Sequence, residues 1–362
     1  MYCCTNCFID PEIKAIIENK RINGNCDFCG KKDIKVYDVD DDTTLSDAFE
    51  NLLEIYTPFK NLPKNYPKGK VDLLKNFFYH KWRIFNVEPE ILYSLIISIC
   101  HERYSEDPEI FDSPVGIWQN YDNEFLIDNA IIKNHSWQEF VEAIKWKNRF
   151  HTNYINEEIL NLFIRCVRKT YRSGKTFYRA RICTDNSGYS MEEMGAPKDG
   201  LATAGRANPS GISMLYLADS AETTLYEIRA GVYDYVTVGT FELLSDIEII
   251  NLADIDKISP FIASNLYGIE FIRQSVNIDI LKVISCEIAK PLRRHDSTLD
   301  YLPTQYISDF IKSKSYAGIE YTSTMHHGGV NLAIFDENLF KCISTTVYDV
   351  KSLKYESEPP IK

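Results

Sequence analysis

Three stretches of this sequence set strong polar side chains into otherwise apolar runs, where packing alone explains them least: FYRAR, AGRANPSGISMLYLADSAETTLYEI and GIEYTSTMHHGGVNLAIF. In the first, Arg179 and Arg181 alternate with Tyr178 and Ala180, so on a strand both guanidinium groups leave by one face. In the second, a Gly-Arg-x-Asn turn with Arg206 and Asn208 precedes a strand holding Tyr216. That strand ends near Asp219 and feeds a helix carrying Glu227. In the third, Ser323 closes one strand-like run and Asn331 lies in the next, across a Gly-containing turn with His326 and His327. A guanidinium fork at Arg206 suits the paired oxygens of a diphosphate or carboxylate. Plainer readings stand beside each: a surface salt-bridge face for the arginines, an exposed helix position for Glu227, and a polar hairpin tip for the two histidines.

A second kind of chemistry sits at the N-terminus. Cys4 and Cys7 form one C-x2-C pair and Cys26 and Cys29 another, with eighteen residues between them, a spacing typical of a four-cysteine zinc site. Gly24 and Gly30 stand where tight knuckle turns need a permissive backbone, and Cys3 is an alternative to Cys4. Four thiolates leave no open coordination position, so the expected ion is a structural zinc. Other motif-like pieces fail on residue type. The acidic run from Asp38 has Thr43 and Phe49 where a calcium loop needs Gly and Glu, and SGKT has Lys169 where a P-loop needs its first Gly.

These groups need elements to hold them. Residues 1–37 read as the zinc knuckle. Residues 38–172 read as helical, from the apolar periodicity of TLSDAFENLLEIY, VDLLKNFFYHKWRIF, ILYSLIISICHERY, SWQEFVEAIKWKNRF and NEEILNLFIRCVRKTY. From residue 173 to 362 the pattern turns to short β-rich runs, TFYRARI, ISMLYLA, YVTVGTFELL, IEIINL, AGIEYTS and GVNLAIFD, and the tail FKCISTTVYDVKSLKYES is a candidate for a final strand. Helical pieces AETTLYEIRAG, SPFIASNLYGIEFIRQS and PTQYISDFIKSK lie between them, which makes this segment α+β or mixed α/β. The fold class expected is multidomain: zinc knuckle, α-helical middle, C-terminal α+β domain.

Bulk properties narrow the function. At 362 residues, 44% hydrophobic and 25% charged, the chain is globular and long for one core. A formal net charge of -12 argues against a general nucleic-acid binder, whose affinity comes from Lys and Arg. The first residues lack signal-peptide character and no run is apolar enough for a membrane span, so a cytoplasmic protein with no membrane partner is expected. Five of the ten cysteines crowd the N-terminus and the rest are scattered, which suggests a metal site and buried thiols, not a disulfide framework.

Together the three polar clusters resemble the RES domain, named for an Arg, a Glu and a Ser and known from bacterial RES-Xre toxin-antitoxin pairs. Arg179 in FYRAR matches the first Arg, Arg206 and Asn208 in AGRANP match a Gly-Gly-Arg-Trp-Asn loop, and Tyr216 matches the Tyr of the following strand. Glu227 matches the named Glu, Ser323 the named Ser and Asn331 a late Asn. The N-terminal cysteines and helices resemble longer relatives in which a zinc-knuckle, HEPN-like segment precedes the RES domain. Two departures are Ala204 for the first Gly and Ala207 where the toxins often carry Trp, so an aromatic wall must come from elsewhere; Tyr178, Tyr189 and Tyr216 are candidates.

The resemblance implies an ADP-ribosyltransferase-like fold and an NAD-consuming toxin or defence-type enzyme that breaks the nicotinamide–ribose bond by hydrolysis or phosphorolysis. It implies Glu227, Arg206 and Ser323 as catalytic residues, with Arg179, Arg181, Asn208, Tyr216 and Asn331 binding NAD. An ADP-ribosyltransferase with a protein or other acceptor is one alternative, and a noncatalytic zinc-knuckle binding module with a degenerate RES domain another. An antitoxin or regulatory protein, and a homo-oligomer, are the partners it admits. An RNase reading of the helices fails, because no arginine precedes any of the seven histidines at the Arg-x4-6-His spacing.

Overall fold

The computed structural model describes residues 1–291 and 296–353. His295 and the end of the expected 173–362 segment lie outside the described residues.

Strands β1 (Tyr2–Cys4), β2 (Ile22–Gly24) and β3 (Ile34–Asp38) form a small antiparallel sheet with β3 in the centre. Helix α1 (Pro11–Asn19) begins with Pro at its first turn and with Asp10 accepting the Glu12 and Ile13 amides, and it buries Ile13 and Ile17 on one face. The expected helical stretch follows as α2 (Thr44–Leu53), α3 (Leu74–Asn76), α4 (Pro89–Ile99), α5 (His101–Glu106), α6 (Glu109–Asp112), α7 (Asn123–Asn129), α8 (Trp137–Trp146) and α9 (Glu157–Cys166). Short strands β4 (Thr57–Pro58) and β5 (Val115–Gly116) pair with each other inside it.

Three local expectations change. Helix α3 passes into a π-helical turn, Phe77–Trp82, which ends at Arg83 in the left-handed region. The run ILYSLIISICHERY breaks at Cys100, which leaves helical geometry between α4 and α5. RKTY, read as the end of a helix, is a strand, β6 (Arg168–Tyr171), because its backbone pairs with a sheet neighbour and Lys169 and Tyr171 both reach the buried carboxylate of Glu320.

The remaining strands are β7 (Thr176–Cys183), β8 (Leu215–Ala218), β9 (Tyr235–Leu243), β10 (Ile247–Asn251), β11 (Gly318–Thr322), β12 (Val330–Ile334) and β13 (Phe340–Asp349). Helix α10 (Ala221–Glu227) follows β8, α11 (Pro260–Tyr267) and α12 (Phe271–Ala289) follow β10, and α13 (Leu302–Ser313) precedes β11. Strands β6 to β13 form one sheet in the order β13-β9-β7-β8-β12-β11-β10-β6, antiparallel throughout except between β10 and β11.

The chain divides into two compact units. One comprises Met1–Ser136, Asn153–Leu162 and Lys257–Ile280; the other comprises Trp137–Thr152, Phe163–Asp256 and the described residues of Leu281–Lys362. The core of the first is rich in aromatic pairs, with Phe8 and Phe85 rings 5.2 Å apart and Phe49 meeting Phe261 edge-on at 5.3 Å. In the second, Phe177, Leu215, Leu217, Phe241 and Leu332 pack on one sheet face. Ala180, Val236 and Val238 pack under Ala221, Leu225 and Ile228 on the other.

One irregularity positions the site. Strand β7 pairs with β9 along its whole length, and β8 pairs with β12 from end to end, yet β7 and β8 meet only at Tyr178 and Ala218. The sheet therefore opens beside that pair, and α10 crosses next to the opening.

Candidate active site

A row of register partners crosses four strands at the opening: Tyr178 faces Ala218, Ala218 faces Asn331, and Asn331 faces Tyr321. Side chains alternate along strands, so these four share the α10 face of the sheet. All four line a cleft of about 300 Å³, together with Arg179, Gly205, Arg206, Tyr216, Thr224, Glu227, Ile228 and Tyr301. Glu227, at the end of α10, is held over this row. Its Oε1 accepts from Ser323 Oγ at 2.5 Å and from Asn331 Nδ2 at 2.8 Å, and its Oε2 stands 3.7 Å from Arg206 Nη2. Ser323 Oγ itself accepts the Met325 and His326 amides, at 3.3 and 3.1 Å, which aims its one proton at Glu227. One oxygen of the carboxylate is thus saturated, while the other has only an ion pair beyond hydrogen-bond reach.

The loop before β8 is held from inside. Asn208 is buried, and its Nδ2 donates to the carbonyls of Thr203, Pro209 and Ile212, while its Oδ1 accepts from Tyr216 OH at 2.7 Å. Gln305 of α13 donates to the carbonyls of Gly205 and Asn208, and Thr304 to that of Arg206 at 2.6 Å. A Cβ on Gly205 would lie 2.6 Å from both Asn208 Oδ1 and Tyr216 OH, so no other residue fits there without displacing them. The clamp fixes Arg206, whose Nη1 donates to Ala289 O at 2.9 Å and whose guanidinium lies 5.1 Å from the Tyr321 ring centre. Burial pulls the Arg206 pKa down, yet Tyr321 and Glu227 outweigh it and leave it raised, a firm cation. Burial pushes the Tyr321 phenol up to about 12 and raises that of Tyr216 as well, so both stay neutral hydroxyls.

Comparison with known families decides what carries this cleft. The RES domain family model matches residues 176–355. These residues are a RES domain. No curated protein matches the chain. Among solved structures, the M. tuberculosis MbcT-MbcA toxin-antitoxin complex is similar at 15% identity, over 52% of this chain and 92% of that chain, with a TM-score of 0.30.

Within the RES domain the sequence-selected residues fall into two groups. Arg206, Glu227, Ser323 and Asn331 are joined by direct contacts, and Tyr216 lines the same cleft. Asn208 does not line it and spends its side chain on the loop. Arg179 contributes to the lining, but alternation puts its side chain on the Phe177 face with Arg181, as the sequence pattern predicts. Burial, then the like charge of Arg181, bring Arg179 down to about 10, with Glu337 opposing, and its Nη1 is buried without a hydrogen-bond partner among the described residues. Arg181 instead donates to the Glu193 carbonyl and lies 4.4 Å from the Tyr189 ring centre, outside the cleft lining.

Of the three tyrosines suggested as an aromatic wall, Tyr178 and Tyr216 line the cleft and Tyr189 does not. Sequence reasoning missed Tyr301 and Tyr321, which complete that wall. Ala207, at the Trp position of the loop it resembles, is fully buried. Tyr321 was findable, since it sits on β11 two residues before Ser323, which directly follows that strand.

N-terminal to the RES domain, the Sγ atoms of Cys4, Cys7, Cys26 and Cys29 all lie within 4.8 Å of one another. Close pairs are 3.8 Å for Cys4–Cys7, 3.4 Å for Cys4–Cys29 and 3.5 Å for Cys7–Cys26. A tetrahedron with Zn–S bonds of about 2.3 Å has edges of about 3.8 Å, so the cage fits zinc. Cys4 and Cys3 are neighbours on β1 and point to opposite sides, and Cys3 is outside this group. Gly30 adopts a φ of 71° at the second knuckle, as its type suggested; Gly24 lies in β2 against Val36 instead of in a turn.

Proposed function

We propose that the RES domain binds NAD in the cleft and breaks its nicotinamide–ribose bond, with water or phosphate as the acceptor. The observation that carries this reading is the Glu227 carboxylate, pinned at Oε1 by Ser323 and Asn331 and open at Oε2 beside Arg206. As the C1′–N bond breaks, its electron pair leaves with nicotinamide and neutralises the pyridinium, and positive charge grows on the ribosyl carbon. A fixed carboxylate stabilises that charge with no reorganisation at the moment of reaction. Ser323 and Asn331 keep Glu227 aimed, because both donate to Oε1 and leave Oε2 to face the reacting ribose.

Arg206 is the cation for the pyrophosphate, and Arg179, which borders the cleft where β7 and β8 part and whose Nη1 has no partner among the described residues, is the second, reached through that gap from the Phe177 face. Tyr178, Tyr216, Tyr301 and Tyr321 supply flat apolar surface for the rings. Arg181 and Asn208 hold backbone in place and support binding indirectly. The four N-terminal cysteines hold a structural zinc that staples their small sheet. An antitoxin or other restraining partner belongs with this reading, since unrestrained NAD cleavage harms the host.

The test is incubation of purified protein with NAD, with products identified by mass spectrometry. Nicotinamide with ADP-ribose shows hydrolysis, nicotinamide with phosphorylated ADP-ribose shows phosphorolysis, and ADP-ribose on protein shows transfer to an acceptor. Intact NAD under all these conditions overturns the proposal and leaves the noncatalytic module.

A further inference from the structure

A polar chain behind the Ser323 turn has no part in the chemistry above. Thr223 lies on α10 four residues before Glu227, so the two side chains share one helix face. Thr223 is fully buried, and its Oγ1 has Asp219 Oδ1 at 2.8 Å, Ser220 Oγ at 2.8 Å and His326 Nδ1 at 2.9 Å. Its single hydroxyl proton goes to Asp219. The imidazole must then donate, which selects the Nδ1–H tautomer when the ring is neutral. The ring also lies flat on Tyr226, 5.0 Å away at an interplanar angle of 4°.

The turn from Ser323 to Gly329 is therefore fastened to α10 at two rungs, Ser323 to Glu227 and His326 to Thr223, one helical turn apart. The fit is tight. A Cβ on Gly329 would stand 2.8 Å from Thr223 Oγ1 and 3.1 Å from His326 Nδ1, so the backbone approaches closely only as glycine. Ser323 N donates to Gly329 O at 2.8 Å and closes the turn.

We propose that His326 is a positioning residue for the Glu227 site: its Nδ1–H bond to Thr223 holds the 323–329 turn in register with α10, so that Ser323 delivers its proton to Glu227. The functional part rests on the reading of Glu227 as the carboxylate of ribosyl transfer; the positioning itself does not.

Asparagine keeps an N–H near the place of Nδ1, glutamine places one nearer Nε2, and alanine has neither. His326→Asn is expected to stay within about twofold of the parent in kcat for nicotinamide release. His326→Gln and His326→Ala are expected to lose about tenfold, with KM for NAD little changed, on the scale of one hydrogen bond. Gly329→Ala should match His326→Ala, and the His326→Ala loss should shrink in a Ser323→Ala background, since it acts through Ser323. Hydrogen exchange supplies a readout without NAD: the Met325 and His326 amides keep their protection in His326→Asn and lose it in His326→Gln and His326→Ala. Equal protection in all three variants overturns the positioning role, as does a His326→Ala loss that is undiminished without Ser323. A parent protein that leaves NAD intact overturns the reaction and not the positioning, which the exchange series still decides.

Discussion

Replacing Glu227 by Gln separates charge from shape at the centre of the cleft. The amide oxygen can still accept from Ser323 and Asn331, so the row across β12 and the turn keeps its bonds, at 2.8 and 2.5 Å in the parent. What disappears is a negative charge on a side chain that is 21% exposed. A unit charge about 4 Å from a developing ribosyl cation, at an effective dielectric constant of about 20, contributes about 4 kcal/mol. That corresponds to a loss of roughly a thousandfold in kcat. Arg206, no longer neutralised at 3.7 Å, adds repulsion and pushes the loss to the upper end. Stability changes far less, because Arg206 retains the Ala289 carbonyl and the Tyr321 ring. The assay is nicotinamide release by chromatography, beside a thermal melt that establishes folding. A folded Glu227→Gln protein that keeps more than about a tenth of the parent rate contradicts charge stabilisation at that magnitude.

Further outcomes follow from the same contacts. Gly205→Ala should lower melting temperature and activity together, by the roughly 1–3 kcal/mol of an overpacked site, because its Cβ displaces Tyr216 and Asn208; unchanged melting and activity would count against the clamp. The purified protein should contain zinc, and Cys26→Ser or a strong chelator should remove it and unfold the N-terminal sheet, read by metal analysis and circular dichroism. Tyr321 has a folded pKa pushed up to about 12 by burial, above about 10 when unfolded. Its stabilising contribution is thus intact below pH 10 and lost as pH rises toward 12, so phenolate absorbance and unfolding should rise together in that window; phenolate appearing fully at pH 10 in folded protein would refute its burial.

Much of the site was legible because strands punish misplaced polarity. Glu227, Ser323 and Asn331 stand out in apolar runs, and their order along the chain is also their order in contact: helix end, strand end, next strand. The helix after β8 was readable from Ser220, which caps it by accepting the Thr223 amide. The rest depended on tertiary pairing. Thr304 and Gln305 look like ordinary helix positions, and only the fold brings the Arg206 loop against them. Arg206 is anchored by a backbone carbonyl of Ala289, which no side-chain pattern can announce. RKTY follows a helical period in sequence, and its ladder with Ile247–Ile250, together with the Glu320 carboxylate, overrides that preference. Asn208 shows how burial redirects a polar side chain: its type suggested a ligand contact, and in the fold its amide bonds the carbonyls of its own loop.

The two arginines nearest the cleft divide the cost of the site unequally, and that makes Arg179 the sharper probe of substrate binding. Arg206 is compensated by Glu227, Tyr321 and Ala289, so its removal damages the fold and the chemistry together. Arg179 is different. It is buried beside a like charge, and its Nη1 has no partner among the described residues, an arrangement that opposes folding. Strain of that kind persists where a ligand relieves it. Arg179→Met keeps much of the volume and removes the unpaired charge, so it should leave the melting temperature unchanged or higher while raising KM for NAD about tenfold, the scale of one charge-assisted hydrogen bond. Melting that falls with KM unchanged would instead make Arg179 a structural partner of the Phe177 face, where Glu337 provides its opposite charge. The anion-binding role would then rest on Arg206 alone.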